Sequence, residues 1–321
     1  MRTLVTGAAG FVGSTLVDRL LSEGHQVIGI DNFRTGSVAN LQNAIQCGEA
    51  GHGHFKLINL DIQAPELIGI VAGVNPAIIF HLAAHVDSEA SVTDPHFDAR
   101  TNILGTLNLC EASRSAGVRR IVYATTQADA EADAASPHAV AKLAGEMYLR
   151  AYAAMYGLTP ICLAVGSVYG PRQSPCGPGH VVEDLAAAMM TGRPFSVPAD
   201  SAHARDFVYV DDVVDALMHA ACAADLADGT YGVGTGKRTT LVELHSLLAA
   251  VLDESSLPET IAPSVDGDPA TGDCDGPAAL PGWTAGVDLA AGLALTIGRL
   301  RAASEPEPAS GRDRRTVEMA G

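Results

Sequence analysis

The chain has 321 residues, 47% hydrophobic and 18% charged, so it can bury a large core and is not a disordered chain. Its formal net charge of −17 argues against nucleic acid or an anionic membrane as a partner, and any phosphate-bearing ligand must be held by local donors. No apolar run reaches membrane-spanning length, MRTLVTG opens on a strand without the h-region of a secretory leader, and the six cysteines form no CxxC pair. These features predict a cytoplasmic protein with reduced, buried thiols.

The first half alternates strand and helix patterns, which predicts a parallel sheet covered by helices. A strand over Thr3–Thr6 leads into a helix over Phe11–Glu23, with Leu16, Leu20 and Leu21 on one face. Strands are expected at Gln26–Asp31, Phe55–Leu60 and Ala77–Leu82, then a long helix over Asp98–Ala116. A strand at Arg120–Thr125, a long helix over Ala139–Tyr156 and a strand at Pro160–Val165 follow. Beyond Gly166 the pieces shorten: a helix over Val181–Met190, strands at Phe195–Val197 and Phe207–Val210, and helices over Asp211–Ala224 and Leu241–Leu252. Ser264–Pro281 reads as loop and Ala303–Gly321 as a polar tail. The expected architecture is α/β: a Rossmann doubly wound parallel sheet in residues 1–166 and a smaller α/β substrate lobe in 167–302. Parts of 205–235 return to the first domain, and 303–321 form a disordered tail.

The segment Gly7-Ala8-Ala9-Gly10-Phe11-Val12-Gly13 sits between the first strand and the first helix. In a dinucleotide site the first glycine makes the tight turn, the second lets backbone approach a pyrophosphate and the third lets helix pack on strand. The helix N-terminus then offers free N–H groups to the anion. Asp31 ends the second strand about twenty residues on, where an acidic residue bonds the adenosine ribose and disfavours a 2′-phosphate, so NAD is expected over NADP. Arg34 nearby is the opposing signal, because arginine serves a 2′-phosphate. Asp61, after the third strand, is placed to meet the adenine, and Asn32 and Ile62 flank these two acids.

TGAAGFVG, DNF with TGS, LDI, FHLAAH, TNILGT, KLAGE, SVYGPRQ and RDFVYVDDVVDAL occur in this order. The series resembles the extended short-chain dehydrogenase/reductase family and is most similar to its nucleotide-sugar epimerases, the UDP-glucose 4-epimerase-like members. The resemblance implies that Leu82, Ala83 and Ala84 line the cofactor, that Asn102 ties a helix to the neighbouring loop and the cofactor, and that Lys142 bonds the nicotinamide ribose. It implies a homodimer built on the helices Asp98–Ala116 and Ala139–Tyr156, and a UDP-hexose substrate.

Members of that family pair a tyrosine with a lysine as YxxxK, one helical turn apart, so that the ammonium lowers the phenol's pKa and the phenolate takes the sugar hydroxyl proton. Lys142 and the hydroxyl residue Thr126 are present, but His138 stands at the tyrosine position. Imidazole is a base near pH 7, although its far nitrogen reaches less far than a phenol oxygen and Lys142 disfavours its protonation. Three further departures follow. The stretch from Gln127 to Pro137 lacks the family's VYG, Ser167 replaces an asparagine that holds the diphosphate, and Ser264–Asp268 lacks an expected arginine. Arg205 remains as a phosphate or uridine contact, and Arg172 is either structural or on the surface. Gln127-Ala128 cannot supply the acid pair of a dehydratase, and Glu131 alone is available to a decarboxylase. His81 and His85 are four apart at a strand end, where that spacing gives no shared face, so no metal site is expected. Three readings stand: an NAD-dependent epimerase, an NAD-binding relative without turnover that acts as a sensor or partner subunit, or an NAD-linked oxidoreductase of another substrate.

Overall fold

The first strand is short and wholly apolar between its opening arginine and flanking threonines, and it lies in the middle of a seven-stranded sheet. The computed structural model describes residues 1–49, 54–126, 136–173, 180–193, 204–223, 225–252 and 277–304. In chain order the elements are β1 (Arg2–Thr6), α1 (Phe11–Ser22), β2 (Gln26–Asp31), α2 (Gln42–Glu49), β3 (His54–Asn59), α3 (Glu66–Val74) and β4 (Ile78–His81). Then come α4 (Ser88–Thr93), α5 (Pro95–Ala99), α6 (Gly105–Ala116), β5 (Arg120–Thr126), α7 (Pro137–Tyr156), β6 (Thr159–Val165) and β7 (Ser167–Tyr169). The remainder are α8 (Val181–Thr191), β8 (Arg205–Tyr209), α9 (Val210–Cys222), β9 (Gly229–Val233), β10 (Arg238–Thr239), α10 (Leu241–Leu252) and α11 (Leu289–Ser304).

The large sheet runs β3-β2-β1-β4-β5-β6-β9 with every pairing parallel. Its order reverses between β1 and β4, and a doubly wound sheet opens its ligand crevice at the carboxyl ends of such a pair. Both faces are buried, as near-continuous apolar strands require. Leu16, Val17 and Leu20 of α1 and Val213 and Leu217 of α9 cover one face with Phe80 and Val122. Leu67, Val71, Leu109 and Leu149 cover the other with Ile79 and Ile121. A smaller sheet, β10-β8-β7, carries the second lobe, where Leu185, Phe207, Leu244, Leu248, Leu293 and Ile297 bury together.

Several expectations need correction. The helix expected over Asp98–Ala116 starts at Pro95, because the Asp94 side chain accepts the Phe97 N–H at 2.9 Å. It then passes through a π turn, Arg100–Leu104, before α6. Within 205–235, the span expected to return toward the first domain, β9 adds to the large sheet beside β6, and α9 packs on α1, where Arg19 meets Asp215 at 2.9 Å. Ala303 and Ser304 belong to α11, not to a tail, because Leu293 and Ile297 on one face of that helix are buried in the lobe. The strand expected at Phe195–Val197 lies outside the described residues, as do 264–276 and 305–321. Cys110 and Cys162 are buried free thiols as expected, but Cys47 and Cys222 are exposed free thiols.

Candidate active site

The glycine turn is sterically obligatory. Gly7 has φ +71°, and a Cβ on it would stand 2.7 Å from the Ala83 nitrogen. A Cβ on Gly13 would stand 2.0 Å from the Gly7 carbonyl oxygen, so any larger residue drives α1 off β1. Gly10 caps α1 without a side-chain bond and no acid sits in the first turn, which leaves the helix dipole and its N–H groups free to meet an anion. Phe11 and Val12 lean onto the lobe's core and tie the turn to the second half of the chain.

Asp31 is buried at the end of β2. Its Oδ2 accepts the Ala9 N–H at 2.8 Å and its Oδ1 accepts the Phe33 N–H at 2.8 Å, which fixes the carboxylate beside the glycine turn. Each oxygen keeps a lone pair for a further donor. Asn32 donates to Asp61 Oδ2 at 2.8 Å, and Asp61 Oδ1 accepts the Gln63 N–H. Ile62 is buried against Gly105 rather than open to the crevice. Arg34 stacks on Phe97, 3.9 Å from the ring centroid, an attachment that competes with any role on a 2′-phosphate. Leu82, Ala83 and Ala84 follow β4 half-buried, with the Ala83 N–H donating to Thr6 Oγ1.

The catalytic candidates gather around α7. Ser136 caps this helix through the Ala139 N–H, and Pro137 begins it, so His138 stands in the first turn and Lys142 one turn on. Gly145 lets α7 approach closely: a Cβ there would lie 2.9 Å from the Tyr123 hydroxyl and 3.1 Å from the Asn102 carbonyl oxygen. Lys142 Nζ is buried 4.2 Å from the Tyr123 ring centroid, and burial lowers its pKa to about 7. Tyr123 is not available as a base in the crevice. Its hydroxyl points at the Lys142 carbonyl, and burial holds it well above the ordinary tyrosine range. Tyr152 bonds Glu111 instead. Thr126 ends β5, half-buried, beside Val165 of β6.

His138 lies in a buried polar cluster that sequence reasoning missed. Its Nδ1 is 3.6 Å from Asp98 Oδ1 and 3.5 Å from Asn102 Nδ2. Asp98 Oδ1 also accepts from His85 Nδ1 and from Asn102 Nδ2, both at 3.0 Å. Asn102 pairs with the His85 peptide from both sides, accepting its N–H and donating to its C=O at 2.9 Å each. Burial, then Lys142, lowers the His138 pKa against an upward pull from Asp98. His81 stands apart as a core residue, with Nδ1 on Thr6 at 2.8 Å and Nε2 on Thr106 at 3.0 Å. The only signal for Asp98 in the sequence is its i,i+4 spacing to Asn102.

In the second lobe, Ser167 opens β7 and Arg205 opens β8, both half-buried. Arg172 is structural: it reaches Asp18 of α1 at 2.5 Å with its own backbone at φ +76°. Two acids of the RDFVYVDD segment are structural too. Asp206 accepts from the Thr235 and Gly236 N–H groups, and Asp212 from those of Gly286 and Val287. Residues 127–135, the altered loop, and 264–268, the expected arginine region, lie outside the described residues.

The sequence profile of the NAD dependent epimerase/dehydratase family matches residues 3–234. A UDP-glucose 4-epimerase of Mycolicibacterium smegmatis is 41% identical over 312 residues, covering 92% of this chain and 97% of that protein. Among solved structures, a UDP-glucose 4-epimerase with UDP-glucose from Thermotoga maritima is 33% identical at a TM-score of 0.80, covering 95% of this chain and 100% of that one. A Thermus thermophilus UDP-glucose 4-epimerase in complex with NAD is 34% identical at a TM-score of 0.75, covering 94% and 100%.

Proposed function

The chain belongs to the NAD-dependent epimerase/dehydratase family, and on that premise we propose that it is a nucleotide-sugar 4-epimerase that interconverts UDP-glucose and UDP-galactose on bound NAD. The observation that carries the reading is the joining of a complete dinucleotide cradle to a buried lysine one helical turn from a base.

The residues present fit NAD. The Gly7–Gly13 turn packs α1 and β1 backbone to backbone with no room for a Cβ at Gly7 or Gly13, and the uncapped α1 N-terminus offers its free N–H groups to a pyrophosphate. Asp31 offers its free lone pairs to the ribose hydroxyls, with Asn32 and Asp61 around the adenine end and Leu82, Ala83, Ala84 and Asn102 along the far wall. Bound NAD supplies a reversible hydride acceptor. Lys142 holds the nicotinamide ribose. His138 takes the proton of the sugar 4-hydroxyl while Thr126 steadies the same oxygen, and the proton returns after the keto sugar has turned its other face. Ser167 and Arg205 hold the uridine diphosphate.

The reading extends to a cytoplasmic homodimer. Among the described residues, no helix is long and apolar enough to cross a membrane. Helix α7 exposes Val140, Leu143, Met147, Tyr148 and Met155, an apolar stripe of the kind that pairs.

Purified protein given UDP-glucose is expected to form UDP-galactose, and denaturing it is expected to release NAD. Restoring the family's phenol with His138→Tyr is expected to raise the rate. If neither form turns over while NAD is released and titrated UDP gives no heat, the protein is an NAD-binding sensor or partner subunit instead.

A further inference from the structure

We propose that Asp98 is a positioning residue that holds His138 with Nδ1 protonated, so that Nε2 is the bare nitrogen serving as the base in place of a tyrosine. This inference rests on the epimerase reading above.

Counting hydrogens decides the tautomer. Asn102 accepts the His85 N–H and donates to the His85 C=O, so the orientation of its amide is fixed by a peptide on each side. Its Nδ2 carries two hydrogens. One goes to the His85 carbonyl and the other to Asp98 Oδ1. No hydrogen remains for His138 Nδ1 at 3.5 Å. That ring nitrogen therefore faces an amide with nothing to give and a carboxylate 3.6 Å away. Only an Nδ1–H directed at Asp98 is consistent with both neighbours.

The carboxylate has room for that donor. Asp98 is 1% exposed, and its Oδ2 is buried without a hydrogen-bond partner among the described residues. A buried carboxylate oxygen left unpaired is costly, and a movement of the His138 ring by about half an ångström would bring a donor within hydrogen-bond range of the carboxylate. His85 is the competing ring: its Nδ1–H already occupies Oδ1, which leaves the rest of the carboxylate to His138.

The arrangement also answers the charge problem set by Lys142. In the reaction the sugar O–H bond breaks and its proton moves to His138 Nε2. The electron pair of the C4–H bond leaves as hydride to bound NAD, and the C4=O bond forms. His138 is then an imidazolium one turn from Lys142, and the carboxylate at its Nδ1 offsets that neighbour. On return, hydride re-adds to the other face of C4 and Nε2 gives the proton back to the oxygen.

Two readouts test this on the full-length protein carrying NAD. With ¹⁵N-labelled histidine, and His138→Gln for assignment, His138 is expected as the Nδ1–H tautomer, and Asp98→Asn is expected to convert it to Nε2–H. In steady-state turnover of UDP-glucose, Asp98→Asn is expected to lower kcat by roughly 10²-fold, the low end of what a general base supplies, with KM and bound NAD unchanged. The same substitution in a His138→Gln background is expected to cost nothing more. Turnover by a protein whose His138 is Nε2–H, or full kcat in Asp98→Asn, or an equal loss in the His138→Gln background, overturns the Asp98 role alone. A wild-type protein that does not turn over overturns the epimerase reading and the base role with it.

Discussion

Lys142 Nζ sits 4.2 Å from the centre of the Tyr123 ring in a largely buried side chain, and among the described residues it makes no hydrogen bond. The ring face gives a cation some compensation, but less than water does. Burial therefore brings the ammonium down to about 7 from 10.5. The unfolded chain holds this proton up to pH 10.5 and the folded one only up to about 7. The cost to the fold is thus full below pH 7, shrinks as pH rises between the two values, and is gone above them. Lys142→Met removes the cost. The expected result is a nucleotide-free variant more stable than the parent by a few kcal/mol at about pH 6.5, with the advantage fading toward pH 10. Epimerase turnover is expected to fall by about 10²-fold or more. Thermal melts across that pH range together with kcat decide it; a variant less stable at the acid end contradicts the account.

Gly145 and Gly13 serve close approach at two different joints. Gly145 brings α7 against Tyr123 and the Asn102 carbonyl, and Gly13 brings α1 against the Gly7 carbonyl. A methyl at Gly13 displaces backbone, and one at Gly145 displaces the Tyr123 hydroxyl and crowds the Asn102 carbonyl. Gly13→Ala is expected to abolish NAD retention and to cost about 2 kcal/mol or more of stability, whereas Gly145→Ala is expected to lower kcat more than NAD content, because it lifts His138 and Lys142 away from the crevice. NAD released on denaturation, measured beside kcat, separates the two. Equal losses of both quantities in both variants would show that the joints do not act separately.

His81 sets the acid limit of the fold. Both ring nitrogens are taken by threonines in the core, so the ring is neutral, and burial followed by Lys142 lowers its pKa to about 3. The unfolded chain binds this proton from pH 6.5 downward. Stability from this group is therefore full above pH 6.5 and declines progressively as pH falls toward 3. At about pH 4.5 the loss comes to roughly 3 kcal/mol. His81→Asn does not titrate. It is expected to be less stable than the parent near neutral pH, by about 1–3 kcal/mol for disturbed threonine bonds, yet to lose less on acidification from about pH 6.5 to 4.5. Urea midpoints at the two pH values measure this, and parallel acid losses would refute it.

The nucleotide half of this molecule was legible because its chemistry is local. Gly7, Gly10, Gly13 and Asp31 lie within one βαβ unit, and strand and helix periodicities place them without tertiary knowledge. His138 and Lys142 were legible for the same reason, being one turn apart on one helix. What surrounds them was not. Asp98 lies 40 positions before His138, and their meeting depends on a π turn at Arg100–Leu104 that no apolar periodicity announces. β9 is hidden because Gly229–Val233 is glycine-rich and becomes a strand only by pairing with β6. α11 is masked in another way: Leu289, Leu293, Ile297 and Leu300 recur at helical spacing, but alanines and glycines lie between them and polar residues follow at once.

The exposed face of α7 makes the last prediction. Val140, Leu143, Met147, Tyr148 and Met155 fall along one side of the helix, and Leu143 and Met147 are 53% and 63% exposed. Buried core residues of the same helix, Ala141, Leu149 and Tyr152, face the sheet instead. A helix apolar on two sides has a second surface to cover. α6 packs beside it, and Leu104 in the π turn just before α6 is 54% exposed, so two such pairs can close as four helices about a two-fold axis. Light scattering of the purified protein is expected to give the mass of two chains. Leu143→Glu with Met147→Glu places carboxylates from both chains at the centre of that contact and is expected to yield monomers that keep NAD. A monomeric parent, or a charged variant that still pairs, would place the interface elsewhere or remove it.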